Sequence, residues 1–229
     1  MPHFICTACG MQYAGSKKPP AQCAICEEER QYVPPRGQSW TTLDALAQSH
    51  TNTWREYDGG IQAIAISHPH FYTTMVEWAR AFDCRIHLNA ADKAWILRPD
   101  AAITLWEGDT FKLWDGVTLI RCGGHFEGGT VLHWQKKKNG GAQDCGVVCA
   151  GDILTVATDR KWLSFMRSYP NFIPLSAREV GHIGRAMAPF SFDVLYGHYF
   201  DRVIAKDAKA VLEKSVARYV AAVEGKRGY

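Results

Sequence analysis

No apolar run in this sequence approaches the roughly 18 consecutive residues that a bilayer-spanning helix requires, so a membrane span is not expected. Charge of one sign is scarce too. The 26 Lys and Arg against 23 Asp and Glu leave a net charge of only +3, a balance too even to demand nucleic acid as a partner. The opening Met1-Pro2-His3-Phe4-Ile5-Cys6 lacks a charged stretch followed by an apolar one. No secretory signal is therefore read, and a cytoplasmic location is the expectation. Neither an internal repeat nor a low-complexity tract is present. What remains is a chain of 229 residues, 47% of them hydrophobic. That is enough for one full-sized domain with its own core and a small appendage.

Cysteine, by contrast, is plentiful and unevenly placed. Of eight, four fall early as two Cys-x-x-Cys pairs, Cys6 with Cys9 and Cys23 with Cys26. The others (Cys84, Cys122, Cys145, Cys149) are scattered among apolar residues and read as small hydrophobes. In a reducing compartment, paired spacing of this kind reads as a metal site rather than as disulfides. Two such pairs can present four thiolates to one tetrahedral ion at about 2.3 Å, and Gly10 after Cys9 suits the turn of a knuckle. Residues 1–30 carry too few apolar side chains for a core, so bound zinc is expected to hold this zinc-ribbon or rubredoxin-like knuckle together. Residues 31–40, with Pro34-Pro35 and Gly37, read as a linker, and 41–229 as the main domain.

Within the main domain, patterns of period 2 and period 3.6 alternate. Thr41 and Thr42 cap a short helix over Leu43–Gln48, and Ile61–Ile66 reads as a strand that stops at Ser67-His68. A helix over Thr74–Phe82 and a strand over Arg85–Leu88 follow, then a β-meander over 103–122 with turns at Glu107-Gly108-Asp109 and Asp115-Gly116. Strands at Thr130–Trp134 and Gly146–Ala150 flank a polar loop with Lys136-Lys137-Lys138 and Gly140-Gly141. Ser176-Ala177-Arg178-Glu179 is a capping box, Phe192–Tyr196 a strand, and about 207–224 a final helix. The succession indicates a layered α/β domain. Trp78, Trp95 and Trp114 are expected in the core, as are Trp162 and Phe165, whose alternative role is a pocket wall.

Residues able to bind metal stand where predicted strands end. His68 and His70 leave the first strand one residue apart. His125 sits among glycines in Gly123-Gly124-His125, Asp152 follows Cys149-Ala150-Gly151, and His198 follows Gly197. This ordered set resembles the metallo-β-lactamase superfamily, whose ligands come as His-x-His-x-Asp-His, a Gly-His, a Gly-Asp and a late Gly-His. The resemblance covers roughly residues 60–224, and the added knuckle resembles an uncharacterised bacterial group of that superfamily. It implies an αββα sandwich and a metal-dependent hydrolase of unknown small-molecule substrate. Two departures stand out. Tyr72 and Thr73 replace the family's second aspartate and fourth histidine, so one zinc on His68, His70 and His125 is expected, with Asp152 as fourth ligand or partner of the metal-bound water. Few residues precede His68, so the sandwich is expected to be shortened on that side and to leave an open edge.

Under that resemblance Asp152 acts as base, Tyr72 as an oxyanion donor or an aromatic plug, and His198 as a substrate contact. Two histidines with Asp152 equally form a facial triad for iron, the arrangement of a mononuclear ferrous persulfide dioxygenase. A third reading is a catalytically degenerate zinc-ribbon binding protein, with Lys136–Lys138 and Arg160-Lys161-Trp162 as a nucleic-acid patch, although a lysine run in a glycine loop is ordinarily a solvated turn. A homo-oligomer is compatible with all three.

Overall fold

The computed structural model describes residues 1–53, 60–135 and 146–226. The chain begins with β1 (Ile5–Cys6), β2 (Trp40–Thr41) and α1 (Leu43–Ala47). A first sheet then forms from β3 (Ala63–Ala65), β4 (Arg85–Asn89) and β5 (Ile103–Trp106), all parallel, with α2 (Met75–Phe82) crossing between β3 and β4. A second sheet has six strands. In chain order they are β6 (Thr110–Trp114), β7 (Val117–Arg121), β8 (Thr130–Trp134), β9 (Gly146–Gly151), β14 (Phe192–Gly197) and β15 (Val203–Ile204). Their spatial order is β15-β14-β9-β8-β7-β6. Between β9 and β14 lie two small antiparallel pairs, β10 (Thr155–Val156) with β11 (Leu163–Ser164) and β12 (Met166–Ser168) with β13 (Ile173–Pro174), and then α3 (Ala177–Met187). The helix α4 (Ala208–Val223) closes the fold.

Alternation along the strands decides the layers. Ile86 and Leu88 of β4 point to one side and bury against Met75, Val76 and Ala79, the apolar stripe of α2. His87 and Trp106 point the other way, and their rings meet Phe111 of the second sheet at 5.4 and 5.9 Å. On the second sheet, Ile120, Val131, Val148 and Leu195 face outward onto Val180, Ile183 and Met187 of α3 and Val211 and Leu212 of α4. The capping box at Ser176 and Glu179 starts α3 as its sequence indicates. The result is helix, sheet, sheet, helix, with three strands in the first sheet against six in the second. That is the αββα sandwich, shortened on its first side.

Two expectations need correction. Residues 103–122 are not one meander. β5 joins β4 in the first sheet, and the turn at Gly108 (φ +87°) carries the chain over to the second, so only β6 and β7 form a hairpin. Local alternation gives the strands but not their partners. Trp114 is 43% exposed rather than core, because β6 is an edge strand. The loop of Lys136–Lys138 and Gly140-Gly141, together with Cys145, lies outside the described residues. No helix among the described residues is long and apolar enough to cross a membrane.

The cysteine knuckle draws on the core of the sandwich. Met11 and Ile25 are buried in one apolar cluster with Tyr72, Met75, Val76, Ile86 and Leu88. The stretch 31–40 ends in β2, which pairs with β1 so that Ile5 faces Thr41 and Cys6 faces Trp40.

Candidate metal centre

Three strand ends bring the site together. His68 leaves β3 in extended conformation, and Pro69 opens a single 3-10 turn that swings His70 to the same side. His125 comes from the β7–β8 loop, where Gly124 sits at φ +82°; a Cβ there would lie 2.8 Å from Leu175. Asp152 follows β9 directly. Gly151 before it has φ +52°, and a Cβ at that position would strike Ser67 Oγ at 2.6 Å. That oxygen is the hydrogen-bond partner of His68 Nδ1 at 2.9 Å, so the glycine leaves room for the group that orients the histidine. Ligand-capable atoms of His68, His70, His125 and Asp152 all lie within 4.8 Å of one another. His68 Nε2 stands 3.7 Å from Asp152 Oδ2.

Buried polar atoms are nearly always satisfied in native proteins. Here Nε2 of His68, His70 and His125 and Oδ1 of Asp152 are all buried without a hydrogen-bond partner. The Nδ1 of His125 meets the Met166 carbonyl at 3.1 Å. A carbonyl only accepts, so Nδ1 carries the proton and Nε2 presents a lone pair. Burial is the main cause that lowers all three imidazole pKa values, reinforced for His68 and His70 by each site's cationic neighbours. His70 falls to about 3, His125 to about 4, and His68 well below its ordinary value. The rings are therefore neutral at pH 7. Burial raises the Asp152 carboxyl, while His198 opposes that rise. Three neutral nitrogens that lack partners, converging with one carboxylate on a common point, fit a divalent cation.

His198, at the end of β14, places Nδ1 3.4 Å from Asp152 Oδ1, the oxygen turned away from His68. It stands outside the group of four. An open cleft of about 750 Å³ reaches the centre past His70, Asp152, His198, Tyr169 and Tyr199. Tyr72 is elsewhere: it is 1% exposed, packed into the apolar cluster beneath α2, and no part of the cleft wall. The oxyanion donor expected at that position is thus displaced by the plug, because the 3-10 turn that aims His70 at the centre rotates Tyr72 into the core. Phe165 is fully buried, whereas Trp162 lies under Arg218 and Lys214 away from the cleft.

Two contributors were not visible in the sequence. Tyr169 donates to the Asp152 carbonyl at 2.9 Å and contacts the Thr155 hydroxyl, fixing the turn after β9. Arg30, hidden in the charged string Glu27-Glu28-Glu29-Arg30, is buried and donates to the His125 carbonyl at 2.9 Å. Nothing in such a string separates a buried arginine from a solvated one.

The cysteine cluster differs in kind. Sulfurs of Cys6, Cys9, Cys23 and Cys26 lie within 4.8 Å of one another, with Cys6–Cys26 at 3.5 Å and Cys9–Cys23 at 3.6 Å. Each pair is wound by a tight turn, Gly10 N to the Cys6 carbonyl and Glu27 N to the Cys23 carbonyl. The hydrogen bond from Cys9 pulls the Cys23 thiol down to about 5 and pushes Cys9 up, and burial raises Cys26 to about 12. A tetrahedral thiolate-binding ion fits this set.

The layers and the strand-end centre define a metallo-β-lactamase type of sandwich carrying an extra four-cysteine knuckle. The chain is 38% identical to the uncharacterized protein YmaE of Bacillus subtilis (strain 168), with 97% of each chain covered, and it belongs to the family of that protein. No family model matches it. Among solved structures it is similar to a B3 metallo-β-lactamase with an active-site glutamic acid. The identity is 15%, the coverage 74% of this chain and 71% of that one, and the TM-score 0.48. It is also similar to the metallo-β-lactamase SMB-1 in complex with mercaptoacetic acid, at 16% identity, 72% and 75% coverage and a TM-score of 0.46.

Proposed function

We propose that this protein is a metal-dependent hydrolase of a small-molecule substrate. Its reactive centre would be one zinc ion on His68, His70 and His125 with Asp152, and a second, structural zinc would sit in the cysteine knuckle. The observation that supports it is the convergence of three buried, partnerless imidazole nitrogens and a carboxylate at the floor of an open cleft. A zinc ion in such a site supplies Lewis acidity, polarising a substrate oxygen and acidifying water.

The chain's own residues do the rest. Ser67 and the Met166 carbonyl hold the His68 and His125 rings by their Nδ1 atoms, so neither ring must reorient. Asp152 keeps one oxygen toward His68 and the other toward His198. A proton accepted on Oδ1 has His198 Nδ1 as its next stop, and His198 borders the cleft. The Tyr169 hydroxyl anchors the Asp152 backbone, which keeps the carboxylate from swinging toward solvent. Tyr169 and Tyr199 line the approach and limit water at the centre.

His125→Ala tests the reading. Native mass spectrometry of the wild type is expected to show two ions per chain, and of the variant one, with the knuckle ion retained. Two ions in the variant would eliminate the centre. Iron with oxygen consumption, in place of zinc without it, would move the same residues to dioxygenase chemistry.

A further inference from the structure

We infer that Arg30 is a positioning residue that locks the His125 arm of the centre to the cysteine knuckle, so that the knuckle sets how tightly the catalytic ion is held. The inference rests on the metal-centre reading above.

Burying a guanidinium costs several kcal/mol unless its donors are matched, so a buried arginine marks a constrained junction. The Arg30 side chain is 5% exposed. Its Nε donates to Glu28 Oε2 at 2.7 Å, and its Nη1 to the His125 carbonyl at 2.9 Å. Its plane covers the Phe126 ring, with Cζ 3.8 Å from the centroid. One side chain therefore holds both the backbone of a metal ligand and the residue after it. Arginine alone suits this: the planar fork makes two directed bonds while its face stacks on an aromatic ring.

The neighbouring residue ties the imidazole as well. The Glu29 carbonyl accepts from Ser168 Oγ at 2.7 Å and Asn171 Nδ2 at 2.9 Å, and Glu29 pairs with Arg167 at 3.1 Å. That segment begins at Met166, whose carbonyl takes His125 Nδ1. Arg30 thus holds the His125 backbone directly, while Glu29 holds the segment whose first carbonyl takes the imidazole. On the opposite side, the Gln12 N–H, three residues past Cys9, donates to the Thr73 carbonyl at 3.4 Å, three residues past His70. Four cysteine sulfurs and two arms of the centre form one connected frame.

The test measures metal affinity rather than turnover. Full-length wild type, Arg30→Ala, Arg30→Lys and His125→Ala are loaded with zinc. Stoichiometry is read by native mass spectrometry, and the weaker ion is titrated against a chromogenic chelator. Arg30→Ala is expected to keep the knuckle ion and the wild-type circular dichroism while the second ion binds about 10- to 100-fold more weakly, the usual effect of losing an outer-shell partner. Arg30→Lys keeps the charge without the fork and is expected to bind several-fold more weakly; it decides the matter if the alanine variant does not fold. Loss of both ions together, with a lowered Tm, would mean a merely structural role and would overturn the inference. So would wild-type affinity in both Arg30 variants. A second ion that survives in His125→Ala signals instead that the centre itself was misread.

Discussion

The two metal-capable clusters of this chain use opposite strategies. In the knuckle, four sulfurs touch in pairs, and Cys6 and Cys23 are fully buried. Every ligand position is taken by the chain, the arrangement of an ion that holds structure. In the second centre the ligands come from three different loops and open on a cleft. On the proposed reading, that cleft lets water or substrate reach the ion, the arrangement of an ion that does chemistry. The sandwich would keep most of its core without the second ion, since Ile120, Val148, Leu195 and the helices α3 and α4 are packed independently of it. Besides cysteines, the apolar side chains the knuckle buries are Ile5, Met11 and Ile25. On the proposed reading, one cluster is a staple and the other a tool.

Removing a thiolate puts that contrast under the greatest strain. Cys23→Ser is expected to release the knuckle ion and to cost on the order of 5 kcal/mol, because metal-binding free energy in such a segment is folding free energy. Chemical unfolding of the variant against wild type measures it. An equal loss of stability on stripping only the second ion would erase the distinction.

Acid sharpens the comparison at the histidines. With the second centre empty and the knuckle loaded, the native rings resist protonation to about 4 for His125 and about 3 for His70, and His68 resists it too. An unfolded chain takes up those protons near pH 6.5. It therefore binds more protons than the native chain below that pH, and stability falls as pH falls from 6.5 to about 4. Asp92, raised to about 6 chiefly by burial, and Asp152, also raised, act with the opposite sign. His87, Glu77 and Asp100, all lowered, act with the same sign as the three histidines, so the balance is a net loss of stability toward acid. Urea midpoints across pH 4–7 report it, and a flat or rising profile toward acid would mean that the imidazoles are not held neutral by burial.

Which parts of this could be read beforehand follows from where the information lies. The capping box at Ser176, the helix ending at Phe82, and the glycines beside His125 and Asp152 are local signals, and each appears where its pattern places it. Strand partners are not local: β5 carries the same alternation whether it pairs with β4 or β6. Buried charge is the hardest case. Nothing in the pattern around Arg30 and Glu28 marks them as buried, and only the three-dimensional approach of Phe126 and the His125 carbonyl makes a packed junction of them. The exposure of Trp114 was lost for the related reason that a pattern does not say which strand is an edge.

Tyr72 gives the smallest expected effect and the finest cut between structure and chemistry. It stands where the superfamily's second aspartate would be, yet its ring is packed with Met75 and Val76, and burial first, then the Asp92 charge, keeps its hydroxyl protonated. Tyr72→Phe retains nearly all of that packing and is expected to change stability by less than about 1 kcal/mol. Tyr72→Ala should cost about 3–5 kcal/mol by opening a cavity under α2. Metal stoichiometry should match wild type in the phenylalanine variant, and thermal unfolding with native mass spectrometry checks both points. Were the hydroxyl instead an oxyanion donor, its loss would cut turnover of any accepted substrate by about 10²-fold or more with no change in Tm. The position of Tyr72 on the core side of the 3-10 turn argues that the phenylalanine variant will be indistinguishable from wild type by either measure.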